Sequence, residues 1–317
     1  MCACACLLGA LAAGAGPLAA QARPHVSLDA QAGDTRSGAV GPGLRLVVSA
    51  PLGERTDSGP RLDVRLGRMR VAQGATVKIV TEAGADLDSL VSLAGLPVEL
   101  GASVWLDGLR PQQVGGYAQT AARVGKRDTL RVRISRDPIW KTSEGVDPLR
   151  GLRVRDLRQI DWRLSTTDLR VSLESSGTSR TSFLFEGGGT LQDDGNRRGF
   201  FAAEVSVPVV RHPLLDLRVG PTGYAEHFAR TTAGYFTPGG YASAGLELRA
   251  ASHLGPLETR ASARPHVFRY PGLGGVGMAA EFEASISASR FAFSVWGELL
   301  HQGPYRFTQI GIGAHVR

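Results

Sequence analysis

The chain has 317 residues, 43% of them hydrophobic and 21% charged, with 41 glycines. This balance excludes a disordered polymer and a bundle of membrane helices, and no stretch after residue 22 offers the ~20 consecutive apolar residues that a spanning helix needs. The net charge is +7, yet Arg65, Arg131, Arg133, Arg170 and Arg249 are scattered along the polar parity of alternating runs, which suits a solvated face or a polar lumen and argues against a nucleic-acid-binding arm.

Residues 7–22 are uncharged, rich in Ala, Leu and Gly, and end Ala20-Gln21-Ala22. An apolar core followed by A-x-A reads as a secretory signal peptide over 1–22, although no basic residue precedes it. All three cysteines fall inside this leader, so the mature chain would have neither a disulfide framework nor a thiolate metal site. Residues 23–42 read as a short lead-in or a first strand. From 43 to 317 the chain reads as one domain of short alternating runs.

Leu62, Val64 and Leu66 alternate with Asp63, Arg65 and Gly67 after a turn over 53–60. A strand is predicted at 75–81, while 84–94 is open to a loop. Strands follow at 98–106 and 114–124. Leu130, Val132 and Ile134 alternate with Arg131, Arg133 and Ser135, and 136–151 carries two prolines and reads as a loop. Segments 160–164 and 169–173 look like a hairpin around Ser165-Thr166. A turn is predicted at 192–198 on Asp194-Gly195. Phe201, Ala203, Val205 and Val207 then alternate with Ala202, Glu204 and Ser206. A strand begins at 215 and is broken by Gly220-Pro221. Strands at 241–250, 257–270, 277–287, 291–300 and 305–316 complete a set of about 14–16.

A period of two means strands with unlike faces. A soluble β-sandwich also alternates, but such strands rarely continue through so many repeats without a domain break. Behind a secretory-type leader, lipid is the fitting solvent for the apolar face. Lipid cannot satisfy an open sheet edge, so the strands must close. The expected fold is all-β: a transmembrane antiparallel β-barrel in the bacterial outer membrane, with longer loops at 136–151, 227–240 and 270–275. Aromatic residues are only 7% and gather in the C-terminal half.

Candidate chemistry is sparse. The seven histidines form no i, i+4 pair and no H-E-x-x-H pattern. Asp193-Asp194 reads as a polar hairpin turn. Gly272, Gly274 and Gly277 match the dinucleotide fingerprint by letter, but a strand follows where a helix is required. Ser206, His212 and Asp216 lie close in sequence, yet strand geometry separates their side chains, and no G-x-S-x-G elbow exists. No catalytic residue, metal or cofactor is expected, and the protein is not read as an enzyme.

Three stretches resemble, in order, the C-terminal barrel domain of the cellulose synthase operon protein C family. The first is Pro51-Leu52-Gly53 with Arg61-Leu62-Asp63-Val64-Arg65-Leu66. The second is Ser135, Arg136 and Pro138, followed by Asp147, Pro148 and Gly151. The third is Gly234-Tyr235-Phe236-Thr237-Pro238 with Tyr241 close behind. Thr237 stands where the family usually has serine, and Asp137 intrudes beside Pro138. The resemblance implies a barrel of 16 strands through which cellulose or a related glucan passes without an energy source of its own. It also implies a periplasmic scaffold and an inner-membrane cellulose synthase as partners, because the tetratricopeptide repeats of that family do not occur in this sequence. The side chains singled out to contact glucan are Trp162, Arg170, Tyr235, Phe236, Tyr241 and Trp296. Two other readings stay open: a structural or adhesive barrel with a plugged lumen, and a hydrolase at the barrel rim.

Overall fold

The computed structural model describes residues 25–35, 39–51, 61–73, 75–93, 95–107, 110–138, 163–175, 181–233, 237, 239–288, 291–302 and 305–316. The strands in chain order are β1 His25–Thr35, β2 Ala39–Pro51, β3 Arg61–Gln73, β4 Thr76–Leu93, β5 Leu96–Asp107, β6 Arg110–Val124, β7 Asp128–Pro138, β8 Ser165–Ser175, β9 Ser182–Gln192, β10 Arg197–His212, β11 Leu215–Phe228, β12 Tyr241–Leu254, β13 Leu257–Tyr270, β14 Leu273–Ala288, β15 Phe291–Gln302 and β16 Tyr305–Val316. Each pairs antiparallel with its sequence neighbours, and β1 pairs with β16 from Val26↔Val316 to Thr35↔Phe307, so the sheet closes. The sixteen strands, at ~4.8 Å spacing and ~40° tilt, give a backbone cylinder about 30 Å across.

Burial is inverted relative to a soluble protein. Leu44, Phe201, Leu246, Val267, Ile310 and Ile312 are more than half exposed, while Gln113, Thr190, Glu204, Glu226, Glu247 and Gln302 are buried. In β10 the two sets interleave: Arg198, Phe200, Ala202, Glu204 and Ser206 point into the barrel, and Phe201 and Val207 point out. Leaving each large apolar side chain in water forgoes about 1.5–3 kcal/mol, so this outer surface is stable only against hydrocarbon. The barrel is a transmembrane one, of the bacterial outer-membrane kind.

Strand direction sorts the connections into two ends. Both chain termini lie at one end, with connections 52–60, 94–95, 125–127, 176–181, 213–214, 255–256 and 289–290. The other end carries the two longest connections, 139–164 and 229–240. Long loops face the cell exterior in such barrels and short turns the periplasm, which orients the molecule.

Several local expectations change. Of the two readings of residues 23–42, a lead-in or a first strand, residues 25–35 take the second: they form β1, the strand that closes the ring, so the barrel begins before residue 43. Residues 84–93 are strand: Gly84 pairs with both Arg65 and Ser103 inside β4, whose register against β5 shifts between Leu87 and Val91. Ser165 and Thr166 are not a hairpin turn but the first residues of β8, paired with Pro138 and Asp137. Gly220-Pro221 does not break β11. Pro221 faces outward and pairs with Leu246 on β12, and a Cβ at Gly220 would collide with the Val205 carbonyl of β10. The 270–275 segment is a tight turn on Pro271-Gly272, with Gly272 at φ 79°. The Asp194-Gly195 turn is as expected: Gly195 has φ 77°, and Asp194 Oδ1 accepts the Asn196 amide at 2.8 Å.

Candidate functional site: the lining of the barrel

The inner wall is built from the polar parity of every strand, and three clusters stand out. The first lies near the loop end on β8–β13. The Arg198 Nε donates to Glu226 Oε2 at 2.8 Å and its Nη2 donates to the Tyr224 hydroxyl at 2.6 Å. That hydroxyl donates to Glu226 Oε2 at 2.9 Å, which closes a triangle. The Arg198 guanidinium lies 4.9 Å from the Phe200 ring centre, and Arg170 approaches the same ring at 5.5 Å. From Phe200 the rings run on: Tyr224 at 6.5 Å, then Tyr241 at 5.9 Å. Phe268 and Tyr270, stacked at 5.9 Å, belong to the same group. The Tyr241 hydroxyl bonds Gln302 Oε1 at 3.2 Å, tying this group to β15.

The second cluster is a ladder of alternating charge at mid-height. Arg249 Nη2 meets Glu204 at 2.7 Å and Glu247 at 2.9 Å, and Arg264 meets Glu247 at 3.1 Å and Glu281 at 3.1 Å. Glu247 pairs directly with Gly220, which leaves it room to lie along the wall. The third cluster is on the facing wall. Arg65 pairs with Asp86 at 2.9 Å, the Tyr117 hydroxyl donates to Glu99, and Arg133 sits 4.2 Å above the Tyr117 ring. Tyr117 occupies the space over Gly101, Phe200 that over Gly188 and Trp296 that over Gly311, so each ring rests on a neighbouring strand where glycine leaves room.

Most of these arginines have a carboxylate beside them. The wall therefore offers a dense array of hydrogen-bond donors and acceptors with flat aromatic faces, and little net field. Such an array can hold a neutral polyhydroxylated chain by many weak contacts.

Of the residues singled out from the sequence, Arg170, Tyr241 and Trp296 face the lumen; Arg170 lies 3.7 Å from Asp168 and 4.0 Å from Glu186. Trp162, Tyr235, Phe236, Asp147, Pro148, Gly151, Gly234 and Pro238 lie outside the described residues. Ser135 is buried on the inner face, whereas Arg136 points outward at the loop end and bonds Asp193 at 2.8 Å. Thr237 is buried, and its Oγ1 accepts the Thr232 amide at 2.6 Å. Leu164, at the end of the 139–164 connection, is also buried, and its carbonyl accepts the Gln113 side chain of β6 at 2.8 Å. That contact reaches across β7 and draws the stem of the long connection inward. Ser206, His212 and Asp216 do not converge: Ser206 Oγ accepts from Arg218 Nε at 3.1 Å, while His212 Nδ1 accepts the Leu214 amide at 3.2 Å.

Sequence reasoning missed the Arg198–Tyr224–Glu226 triangle and the inward rings of Phe200, Phe268 and Tyr270. One signal was available for the first ring. Phe200 and Phe201 are adjacent, so one of them had to face the lumen.

A closed ring with an apolar outer band and a charged inner wall defines an outer-membrane β-barrel. No family model matches the chain, and no curated protein matches it. Among solved structures, one described as a bacterial polysaccharide outer membrane secretin is similar, with TM-score 0.69 and 14% identity over 93% of this chain and 98% of that one. OccD3 (OpdP) of Pseudomonas aeruginosa aligns with TM-score 0.49 and 9% identity over 96% of this chain and 93% of its own. The channel DcaP of Acinetobacter baumannii aligns with TM-score 0.42 and 7% identity over 93% and 96%. At these identities the likeness is one of fold.

Proposed function

We propose that this barrel is a passive outer-membrane channel for an exopolysaccharide, with cellulose or a related glucan as its cargo. The observation that carries the reading is the lining: aromatic rings beside paired arginines and carboxylates, inside a ring of sixteen strands. About 8 strands would leave only a side-chain-filled core, whereas 16 leave room for an aqueous path. Sugar rings stack their C–H faces on aromatics and hydrogen-bond sideways through hydroxyls, and both kinds of partner alternate here. The similar secretin is described as a polysaccharide protein, and the family-like stretches point to glucan. In this reading residues 1–22 direct secretion, an inner-membrane synthase pushes the polymer, and a periplasmic scaffold guides it to the barrel.

The test pairs two measurements. Purified protein in planar bilayers is expected to conduct, with current reduced by added soluble cello-oligosaccharide. Deletion of the gene is expected to abolish polymer secretion. A non-conducting protein together with normal secretion refutes the proposal. A plugged structural barrel is the second reading, favoured by the deep burial of Phe200, Tyr224, Tyr241, Leu300 and Gln302 toward the loop end. It predicts no current even after the 139–164 connection is shortened.

A further inference from the structure

The arginine excess is not explained by the lumen, where arginines and carboxylates are paired. Part of it lies on the opposite face of the strands. Arg68, Arg70, Arg197 and Arg269 occupy outward positions on β3, β10 and β13, and all four are exposed, whereas Arg136, outward on β7, is taken up by Asp193. Outward placement follows from register: Arg68 pairs with Leu44, Arg70 with Ile79 and Arg197 with Leu191, all exposed apolar residues of the lipid face. Arg269 lies between the inward Phe268 and Tyr270, and two residues from the exposed Val267. All four belong to the loop-end half of their strands, Arg68 and Arg70 following the outward Leu62, Val64 and Leu66 on β3, and their strands are spread round the ring rather than gathered on one side.

The other end differs. Among the described residues, no outward strand position of the terminal end holds an exposed arginine or lysine; Lys126 and Arg127 sit there in a turn. Arg211 does not count against this, because the register shift between Pro208 and Val210 places it opposite Asp216, whose strand neighbour Arg218 lines the lumen. Exposed apolar side chains reach the strand tips at that end, as at Leu215, Leu254 and Phe291.

The geometry points to a collar that binds the phosphorylated sugar head groups of an outer-leaflet glycolipid, at the height where hydrocarbon gives way to head group. A guanidinium at that depth faces the lipid, since its own strand has turned it away from the lumen. It matches a phosphate by a two-pronged hydrogen bond. The one-sidedness of the collar fits a bilayer whose two leaflets differ, and an anionic outer leaflet complements it. This inference does not depend on what passes through the lumen.

The test uses the full chain in neutral maltoside micelles, titrated with diphosphoryl lipid A and with the same lipid after enzymatic dephosphorylation, and read by native mass spectrometry. The diphosphoryl form is expected to bind saturably, and R68E/R70E/R197E/R269E to weaken it at least about tenfold. K126E/R127E, at the other end, is expected to leave it unchanged. Heat-modifiable gel migration reports whether each variant folds. Should the fourfold variant fail to fold, R68Q/R70Q and R197Q/R269Q separately are each expected to weaken binding about threefold. Equal affinity for the dephosphorylated lipid, unchanged binding in the collar variants, or an equal loss in K126E/R127E overturns the collar.

Discussion

Replacing Glu226 by alanine strands the Arg198 guanidinium. The two side chains are 2% and 5% exposed, so water cannot take the place of the lost carboxylate. Removing one partner of a buried ion pair costs about 3–5 kcal/mol, because the remaining charge is left uncompensated. Arg198 keeps its 2.6 Å bond to the Tyr224 hydroxyl, and a hydrogen bond to a charged group is worth about 1.5–3 kcal/mol. The expected loss for Glu226→Ala is therefore at the lower edge, about 3 kcal/mol. Glu226→Gln keeps an acceptor of the same shape and loses about half as much. The double replacement R198M/E226L removes both charges together and leaves only the neutral Tyr224 hydroxyl without its two partners, so it is expected to lose about 1–2 kcal/mol, less than the single change. The assay is urea unfolding of protein folded into phosphatidylcholine vesicles, followed by heat-modifiable gel migration. A Glu226→Ala loss under about 1 kcal/mol refutes the argument from uncompensated charge. So does a double variant as damaged as the single one.

Leu248→Arg places a charge near the middle of β12 on the outer face; we expect a loss of about 2–4 kcal/mol in the same urea assay, as for a cation at the bilayer midplane. Gly220→Ala pushes a methyl group into the Val205 carbonyl, whereas Gly187→Ala meets nothing nearer than 3.6 Å. The first is expected to cost about 1–3 kcal/mol or to block assembly, the second to leave the fold intact, and equal behaviour of the two refutes the close approach of β10 and β11. Tyr241→Ala with Phe268→Ala removes two rings of the inner cluster; single-channel conductance is expected to rise and block by cello-oligosaccharide to weaken. Unchanged block assigns these rings to packing alone.

Much of the barrel was legible because strand alternation is a local property. Leu130, Val132 and Ile134 against Arg131, Arg133 and Ser135 announce a strand with one apolar face, whatever that strand pairs with. The failures are local conflicts resolved by neighbours. Gly220-Pro221 looks like a strand break, yet proline's missing donor and glycine's missing side chain are absorbed where β11 lies close to β10. Gly84 weakens the pattern of β4, but two flanking strands hold it. Ser165-Thr166 has turn chemistry and is strand, because Asp137 and Pro138 are there to pair with it. The lumen was legible in part. Parity alone turns Arg170 and Trp296 inward, whereas the triangle of Arg198, Tyr224 and Glu226 joins two strands and needs their register.

The sequence by itself determined the two faces of each strand, the tight turn at Asp194-Gly195, and the chemical contrast between an apolar and a charged parity. These depend on residues one or two positions apart. The tertiary structure alone decided that β1 meets β16, that rings from four strands gather near the loop end, that Glu204 and Glu281 are linked through arginines on β12 and β13, and that arginines distant in sequence form one collar outside. The reason is geometric. A period of two says which way a side chain points, but only the stagger accumulated around a closed ring says at what height it stands and what stands beside it.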